Sequence, residues 1–494
     1  MQIAYFRFQI EIKFKSEICN VKSEIPHHLL PITNYRPMVT QSAPIVSLQA
    51  PKDVSISDIE TELGQIWQSY GVSSENGMPM ASRAATFTLV VYEPEATQQL
   101  LAILGFYKGP VDGISGPRTN AAIAAAQKAY NLPVTGQSSP ELVERLRAEY
   151  AQKRNGAENS NGNGSSVPQY DPDAAGAGFA DAIAQTNPCR VIALCPIVGD
   201  DEGVTAQVSA YCPIQKQSRS TLICCEYITL KGTEEALERI AGMIPALTIS
   251  DLPKFLWWKT TPDPENELFK RVSAISSSVI FDSSGFLTPE TDLLKAYSLT
   301  ESGMAIADLN WRRLASWQEL TAETFDPPER RAHIMEIDRI TLDYEKGNSA
   351  QALMYLGWIA SRLQWTPVSY VHEGGEYDIK RVKLVGADGR EIEAELAAIP
   401  VVDTGDIAGD LINLRLYSSN TAANCCTVLC SETGGCMRME AGGVAQTCET
   451  RQVTALFDQK AEFLLSQQLQ RIGREVLYEE SMAVATQVLK LANG

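Results

Sequence analysis

From Lys153 to Ser166 the chain reads Lys-Arg-Asn-Gly-Ala-Glu-Asn-Ser-Asn-Gly-Asn-Gly-Ser-Ser. A stretch this polar and glycine-rich cannot bury a core, so no single core can run through it. Residues 151–180 are therefore expected to form a flexible linker between the segments on its N-terminal side and those on its C-terminal side. The full 494 residues also exceed what one core usually serves and suggest about three domains. Hydrophobic content of 44% and charged content of 21% are ordinary for globular domains. The net charge of −18 argues against nucleic acid or anionic membranes as partners. No run approaches the ~20 apolar residues of a membrane span.

Ahead of the linker three segments differ in pattern. In residues 1–37, Phe6, Phe8, Ile10, Ile12 and Phe14 alternate with polar residues, a strand pattern rather than an export signal. Met38 offers an alternative start, so 1–37 is expected to be an extension foreign to the native chain. Residues 38–94 hold a helix at 53–70, with Ile59, Leu63 and Ile66 on one face, and a strand at 86–92. Residues 95–150 read as a small all-α module. It opens on Leu100-Leu101 and turns through Gly109, Asp112, Gly113 and Gly116. An Ala-rich helix with Gln127 comes next, and then Ser139-Pro140, a favourable N-cap and first-turn pair. This wording resembles the peptidoglycan-binding-like three-helix fold, with Ala126 where that family often has an aromatic. The resemblance implies either cell-wall glycan binding or a docking adaptor that shares only the fold.

After the linker, residues 181–345 alternate strands with helices, which predicts an α/β sandwich with a mixed sheet. Residues 346–494 carry a helix at 348–363, strands near 367–372, 376–385, 391–399 and 411–417, and a closing amphipathic helix. Gly386-Ala-Asp-Gly389 is a hairpin turn between two of those strands. This predicts an α+β domain with an antiparallel sheet.

Motifs for catalysis are missing. There is no phosphate-binding Gly-x-x-x-x-Gly-Lys loop and no Gly-x-Gly-x-x-Gly after a strand. His333 and His372 stand without a second metal ligand, and no carboxylate spacing marks an acid–base pair. The expectation is no catalytic residue, no cofactor and no metal. Two tryptophan-marked words point instead to a protein partner: Trp257-Trp258, and Trp311-Arg312-Arg313 with Trp317, at or directly beneath an interface. Asp326-Pro-Pro-Glu329 with Arg330 and Arg331 makes a rigid charged corner, equally readable as an exposed loop.

Eleven cysteines form no Cys-x-x-Cys pair. Cys189, Cys195, Cys212, Cys224 and Cys225 fall in apolar strands and read as buried, inert thiols. Cys430 and Cys436 differ, because Gly434-Gly435 lets the chain fold back and brings their sulfurs within reach. A reversible disulfide there competes with free thiols and with zinc held among the later cysteines. Such a bond closes a short loop, worth only about 2 kcal/mol, and suits a switch better than a staple.

The multi-residue words Pro188-Cys-Arg-Val-Ile192, Asp251-Leu-Pro253, Asp308-Leu-Asn-Trp-Arg-Arg-Leu314, Phe325-Asp-Pro-Pro328 and Tyr355-Leu-Gly-Trp358 occur in order. Together they resemble the glucose-6-phosphate dehydrogenase assembly proteins, the OpcA family. The helical module ahead of them resembles the cyanobacterial branch. That resemblance implies a non-enzymatic, cytoplasmic partner that binds glucose-6-phosphate dehydrogenase, promotes its active oligomer, and is turned down by thioredoxin. The rival expectation is a peptidoglycan or cell-wall binding protein.

Overall fold

The computed structural model describes residues 45–492 except 71–80, 84, 94–96, 108–116, 140, 144, 147, 150–182, 184–186, 198–200, 214–221, 287, 327, 329–330, 402–406, 408, 421–424, 432–435, 443–447, 456–460 and 472. Nine strands build the first sheet: β1 (Ile45–Val54), β2 (Ala81–Arg83), β3 (Thr88–Tyr92), β4 (Arg190–Pro196), β5 (Thr205–Pro213), β6 (Leu222–Gly232), β7 (Lys254–Trp258), β8 (Ser278–Phe281) and β9 (Ile306–Asp308). Their order is β1-β5-β6-β4-β3-β7-β8-β9, with β2 also paired to β6. The strands from β6 to β9 in that order are parallel, and β5 and β1 are antiparallel additions at one edge. The expected mixed sheet is present. Counted along the chain, its six parallel strands stand in the order 3-2-1-4-5-6, that of doubly wound dinucleotide-binding sheets.

The central strand of this sheet is β3, from the segment expected to stand ahead of the helical module. All five of its residues are buried, as an apolar strand with neighbours on both sides requires. Helix α1 (Ile59–Tyr70), from the same segment, packs on β1 and β5. The module and the polar stretch at 151–180 therefore lie inside the crossover from β3 to β4, two paired strands, and not between successive domains. Local pattern shows that 88–92 is a strand. It cannot show that the strand's partner begins about a hundred residues later.

Within the module, α2 (Thr97–Leu104), α3 (Pro117–Ala129) and helical residues between 141 and 149 close over Leu100, Leu101, Ile123, Ala126, Leu142 and Leu146. Ser139 caps the last of these, accepting from the Leu142 amide at 3.3 Å. Buried Gln127 accepts from the amides of Thr135 and Gly136, both at 2.9 Å, and so fixes the turn after α3. The loop around Asp112 lies outside the described residues.

Helices α4 (Glu234–Ile240), α5 (Glu267–Ser273) and α6 (Pro289–Glu301) lie in the crossovers after β6, β7 and β8. The stretch around Trp311 and Trp317 forms two helices, α7 (Leu309–Arg313) and α8 (Ala315–Phe325), meeting at Leu314.

Eight strands form the second sheet: β10 (Arg339–Glu345), β11 (Thr366–Gly374), β12 (Ile379–Val385), β13 (Glu391–Ile399), β14 (Leu411–Tyr417), β15 (Cys425–Ser431), β16 (Cys436–Gly442) and β17 (Cys448–Ala455). The order is β11-β12-β13-β10-β14-β15-β16-β17, antiparallel except where β10 runs beside β13. Strand β10, expected to finish the α/β region, is thus central to the second sheet. Helices α9 (Ala350–Leu363) and α11 (Val476–Ala492) pack together and against this sheet, while α10 (Ala461–Gln468) returns to the first. There Ala461, Leu464 and Leu465 join the core around Trp257. The expected domains are therefore interlocked by the chain's own path.

Where α9 meets α11 the backbones approach closely. A Cβ on Gly357 would lie 2.3 Å from the Ser481 carbonyl oxygen. Gly357→Ala should therefore force the helices apart at a cost of about 1–3 kcal/mol, the usual penalty for overpacking. Chemical denaturation of the variant beside the parent protein measures this, and an unchanged midpoint would show that the helices separate freely.

Candidate functional site

In open doubly wound sheets, ligands bind outside the carboxyl ends of the strands, where the strand order reverses. Here that place lies between β3 and β7, and the chain fills it with its own side chains. Tyr92 and Trp258 are register partners, and their rings stack with centroids 3.8 Å apart. Phe269 of α5 packs edge-on against Trp258 at 5.1 Å. One residue further, Lys259 Nζ lies 2.6 Å from Glu93 Oε1 and 4.2 Å from the centre of the Trp257 ring. Lys259 is only 7% exposed. Burial, with Glu234's charge second, pushes the Tyr92 hydroxyl's pKa up.

A dinucleotide needs glycine at this turn so that backbone amides can reach its pyrophosphate. The sequence here is Glu93-Pro94-Glu95-Ala96, with no glycine and two carboxylates. Lys259, the nearby cation, is already paired with Glu93. The residues do not fit the cofactor that the strand order implies.

A second polar cluster sits at the carboxyl ends of β8 and β9. Asp282 directly succeeds β8, and Asp308 ends β9 and caps α7 through the Asn310 amide at 2.9 Å. Arg313 donates two hydrogen bonds to Asp282, at 2.7 and 2.8 Å. Gln351 of α9 donates to Asn310 at 2.9 Å and to Asp410 at 2.6 Å, and Asn348 donates to the carbonyls of Ser283 and Ser284. Burial opposes charge on Asp282, but the Arg313 guanidinium and the Ser284 hydrogen bonds hold its pKa below the usual value. Asp308 has burial and then the Asp282 charge against it, which outweigh its own hydrogen bonds and raise its pKa to about 7. Burial lifts Asp410 to about 6 although Arg313 and Gln351 oppose it. A carboxyl poised near neutrality can serve acid–base chemistry only if substrate reaches it. Asp308 is 0% exposed, and this cluster ties the first sheet to α9 instead of opening to a ligand.

The side chains expected at or beneath a partner surface are core residues. Trp257, Trp258, Trp311, Trp317 and Arg313 are all buried. Trp311 packs edge-on against Tyr478 of α11, and Arg313 is committed to Asp282. Arg312, mostly buried, reaches Glu475 at 3.6 Å. Of the two placements expected, at a partner surface or directly beneath it, burial of these five is compatible with the second. Pattern alone marked these as large, costly residues; their neighbours decided which way they point. His372 pairs with Asp378 at 2.6 Å. Asp326 and Pro328 are exposed, and the rest of that charged corner lies partly outside the described residues.

Among the early cysteines, Cys189 and Cys225 are buried free thiols in contact, while Cys224 is disulfide-bonded. That bond departs from the expected set of inert thiols. Cys430 pairs opposite Met437, and Cys436 lies opposite Ser431 in the next pair. The turn between them and both side chains lie outside the described residues.

Glu93, Lys259, Asp282, Asn348, Gln351 and Asp410 were not singled out by sequence reading. The signal for three of them was present, since Glu93, Lys259 and Asp282 each come directly after a parallel strand.

A family model described as "Glucose-6-phosphate dehydrogenase subunit N-terminal domain" matches residues 180–298, and its C-terminal counterpart matches 304–482. A "Putative peptidoglycan binding domain" model matches 93–146. "Putative OxPP cycle protein OpcA" of Nostoc punctiforme is 61% identical over 459 residues, spanning 92% of this chain and 98% of that protein. The chain belongs to the OpcA family. The OpcA of Synechocystis sp. is 57% identical over 456 residues, spanning 92% of this chain and 95% of its own. Among solved structures, a 3-ketoreductase from Actinomadura kijaniata with NADP aligns over 53% of this chain and 86% of its own, with 15% identity and a TM-score of 0.35. A likeness that remote carries no weight. The OpcA N-terminal model begins at 180 and so omits β3, the strand at the centre of the sheet.

The raised pKa of Asp308 has a consequence for stability. The folded state holds this proton more tightly than the unfolded chain, whose Asp titrates near ~3.9. The stabilisation is complete below that value and is lost as pH rises through about 7. Asp308→Asn cannot ionise. Its stability relative to the parent protein should therefore improve steadily across that window, in urea titrations at successive pH values. Parallel pH dependences for the two proteins would refute the assignment.

Proposed function

We propose that this OpcA-family chain is a non-catalytic, cytoplasmic partner of glucose-6-phosphate dehydrogenase that favours the dehydrogenase's active oligomer. Family membership supports the partner. The observation that carries the non-catalytic reading is the Glu93–Lys259 pair, which occupies the turn where a dinucleotide's phosphates would be held. No helix among the described residues is long and apolar enough to cross a membrane. A partner shifts an oligomeric equilibrium only by its preference for one state, so the effect on the dehydrogenase depends on differential binding. The Trp and Arg words act, in this proposal, by holding the surface from beneath. Mixed with its cognate dehydrogenase, the pure protein should steepen or shift the substrate saturation curve and enlarge the dehydrogenase's oligomer, while showing no dehydrogenase activity alone. An unchanged curve and an unchanged oligomer would refute it.

The helical module's match to a peptidoglycan-binding model supports a second reading, cell-wall glycan binding. Sedimentation with insoluble peptidoglycan, set beside capture of the dehydrogenase, separates the two.

Redox control is proposed at Cys430 and Cys436, as a reversible disulfide that favours activation and that thioredoxin reduces. Their register positions lie one step apart on β15 and β16. Cross-linking them would rework the end of the β15–β16 hairpin, a local change suited to a switch. Cys436→Ser should make activation indifferent to thioredoxin. If the variant still loses activation on reduction, the switch lies in other cysteines.

A further inference from the structure

We propose that the open face of the second sheet is a self-association surface, and that its occupant is a second copy of this chain. The observation is a juxtaposition of charge. Along β10, β12, β13 and β14 alternate residues point inward, and Ile340, Leu342, Val382, Leu384, Leu396 and Leu414 are fully buried. The residues between them face the other way, where no described residue covers Arg339, which is 64% exposed.

Register arranges these outward residues in cross-strand rows. One row runs Tyr417, Arg339, Glu393, Lys383. The next runs Arg415, Thr341, Glu395, Arg381. Glu391 extends the carboxylate stripe of β13, opposite Val385. A groove lined by Arg339, Lys383, Glu391, Glu393, Glu395 and Tyr417 crosses this face. Within the sheet Arg381 already bridges Glu393 at 3.0 Å and Glu395 at 2.6 Å.

The chain as a whole carries −18, so two copies repel one another over most approaches. On this patch the signs balance, with Arg339, Arg381, Lys383 and Arg415 against Asp338, Glu391, Glu393 and Glu395. The pattern is also self-complementary. A two-fold axis along the seam between β12 and β13 lays the carboxylate stripe of one copy over Lys383 and Arg381 of the other, and the reverse contact forms by symmetry. Row order is kept under that rotation, so Lys383 meets Glu393 of the second copy. Sheets stacked face to face in aligned packing need no further element between them. The four strands that carry these rows, at ~4.8 Å spacing and about seven residues at ~3.4 Å, span roughly 460 Å² on each copy, the size of a weak, transient dimer contact.

The test uses the full chain. Sedimentation velocity from about 1 to 100 μM, concentrations that bracket a weak to moderate dimer, should show a monomer–dimer equilibrium. Lys383→Glu and Glu393→Lys should each raise the dissociation constant at least tenfold. Their combination should restore dimerisation, because the charges only exchange places. Thermal melts confirm folding, and Arg381→Glu, which the same rotation sets against Glu395 of the second copy, repeats the charge test should Lys383→Glu fail to fold. A monomer at every concentration, or a dimer indifferent to these reversals, would overturn the proposal. So would a monomeric parent protein whose reversals abolish dehydrogenase capture, which would assign the face to that other protein.

Discussion

The buried pair of Arg313 and Asp282 holds the two halves of this molecule in register. It sits at the carboxyl end of β8 with both partners removed from water. Taking such charges out of solvent is costly, and only good geometry and further hydrogen bonds offset it. The structure supplies both. Two parallel hydrogen bonds join guanidinium to carboxylate, and Ser284 adds a third to Asp282 at 2.6 Å. Asn310, Asn348, Gln351 and Asp410 extend the network from α7 to α9, that is, from the first sheet to the second. Losing one partner of such a pair typically costs about 3–5 kcal/mol, because the other charge stays buried. The α7 word that marks the family is therefore a joint between sheets.

The same economy governs the strand-order reversal. A doubly wound sheet leaves a crevice between β3 and β7, and an enzyme would line it with glycine and amides. This chain closes it with stacked Tyr92 and Trp258 and a buried ion pair. The sheet retains the topology, while its ligand edge carries stacked rings and an ion pair where a dinucleotide-binding sheet carries glycine. The helical module enters the chain at this same crossover, directly after Glu93. Insertion there leaves both flanking strands paired in the sheet and adds a unit with its own core.

Much of the secondary structure was legible from periodicity. The helix ending at Tyr70, strands such as Phe255–Trp258 and the turn at Gly386–Gly389 lie where apolar spacing and turn chemistry place them. Trp257 and Trp258 were recognisable as an adjacent pair of large apolar residues. Their destinations were not, since one face meets α10 from the far end of the chain and the other meets Phe269. The absence of a phosphate loop was visible in Glu93-Pro94-Glu95-Ala96. That Glu93 stands at the switch point was not, because the position exists only once β7 pairs with β3.

The sequence by itself determined the local elements, the family words, the lack of a nucleotide loop and the overall acidity. These depend on neighbours within a few residues or on composition, where spacing and charge suffice. Tertiary structure alone decided that β3 is a central strand, that β10 belongs to the second sheet, and that Arg313, Trp311 and Trp317 are buried. It also decided that a nearly balanced charge pattern is gathered on one open sheet face of a strongly acidic chain. Each of these rests on contacts between residues tens to hundreds of positions apart. Such contacts are selected by the burial of whole faces, and no local window of the chain contains them.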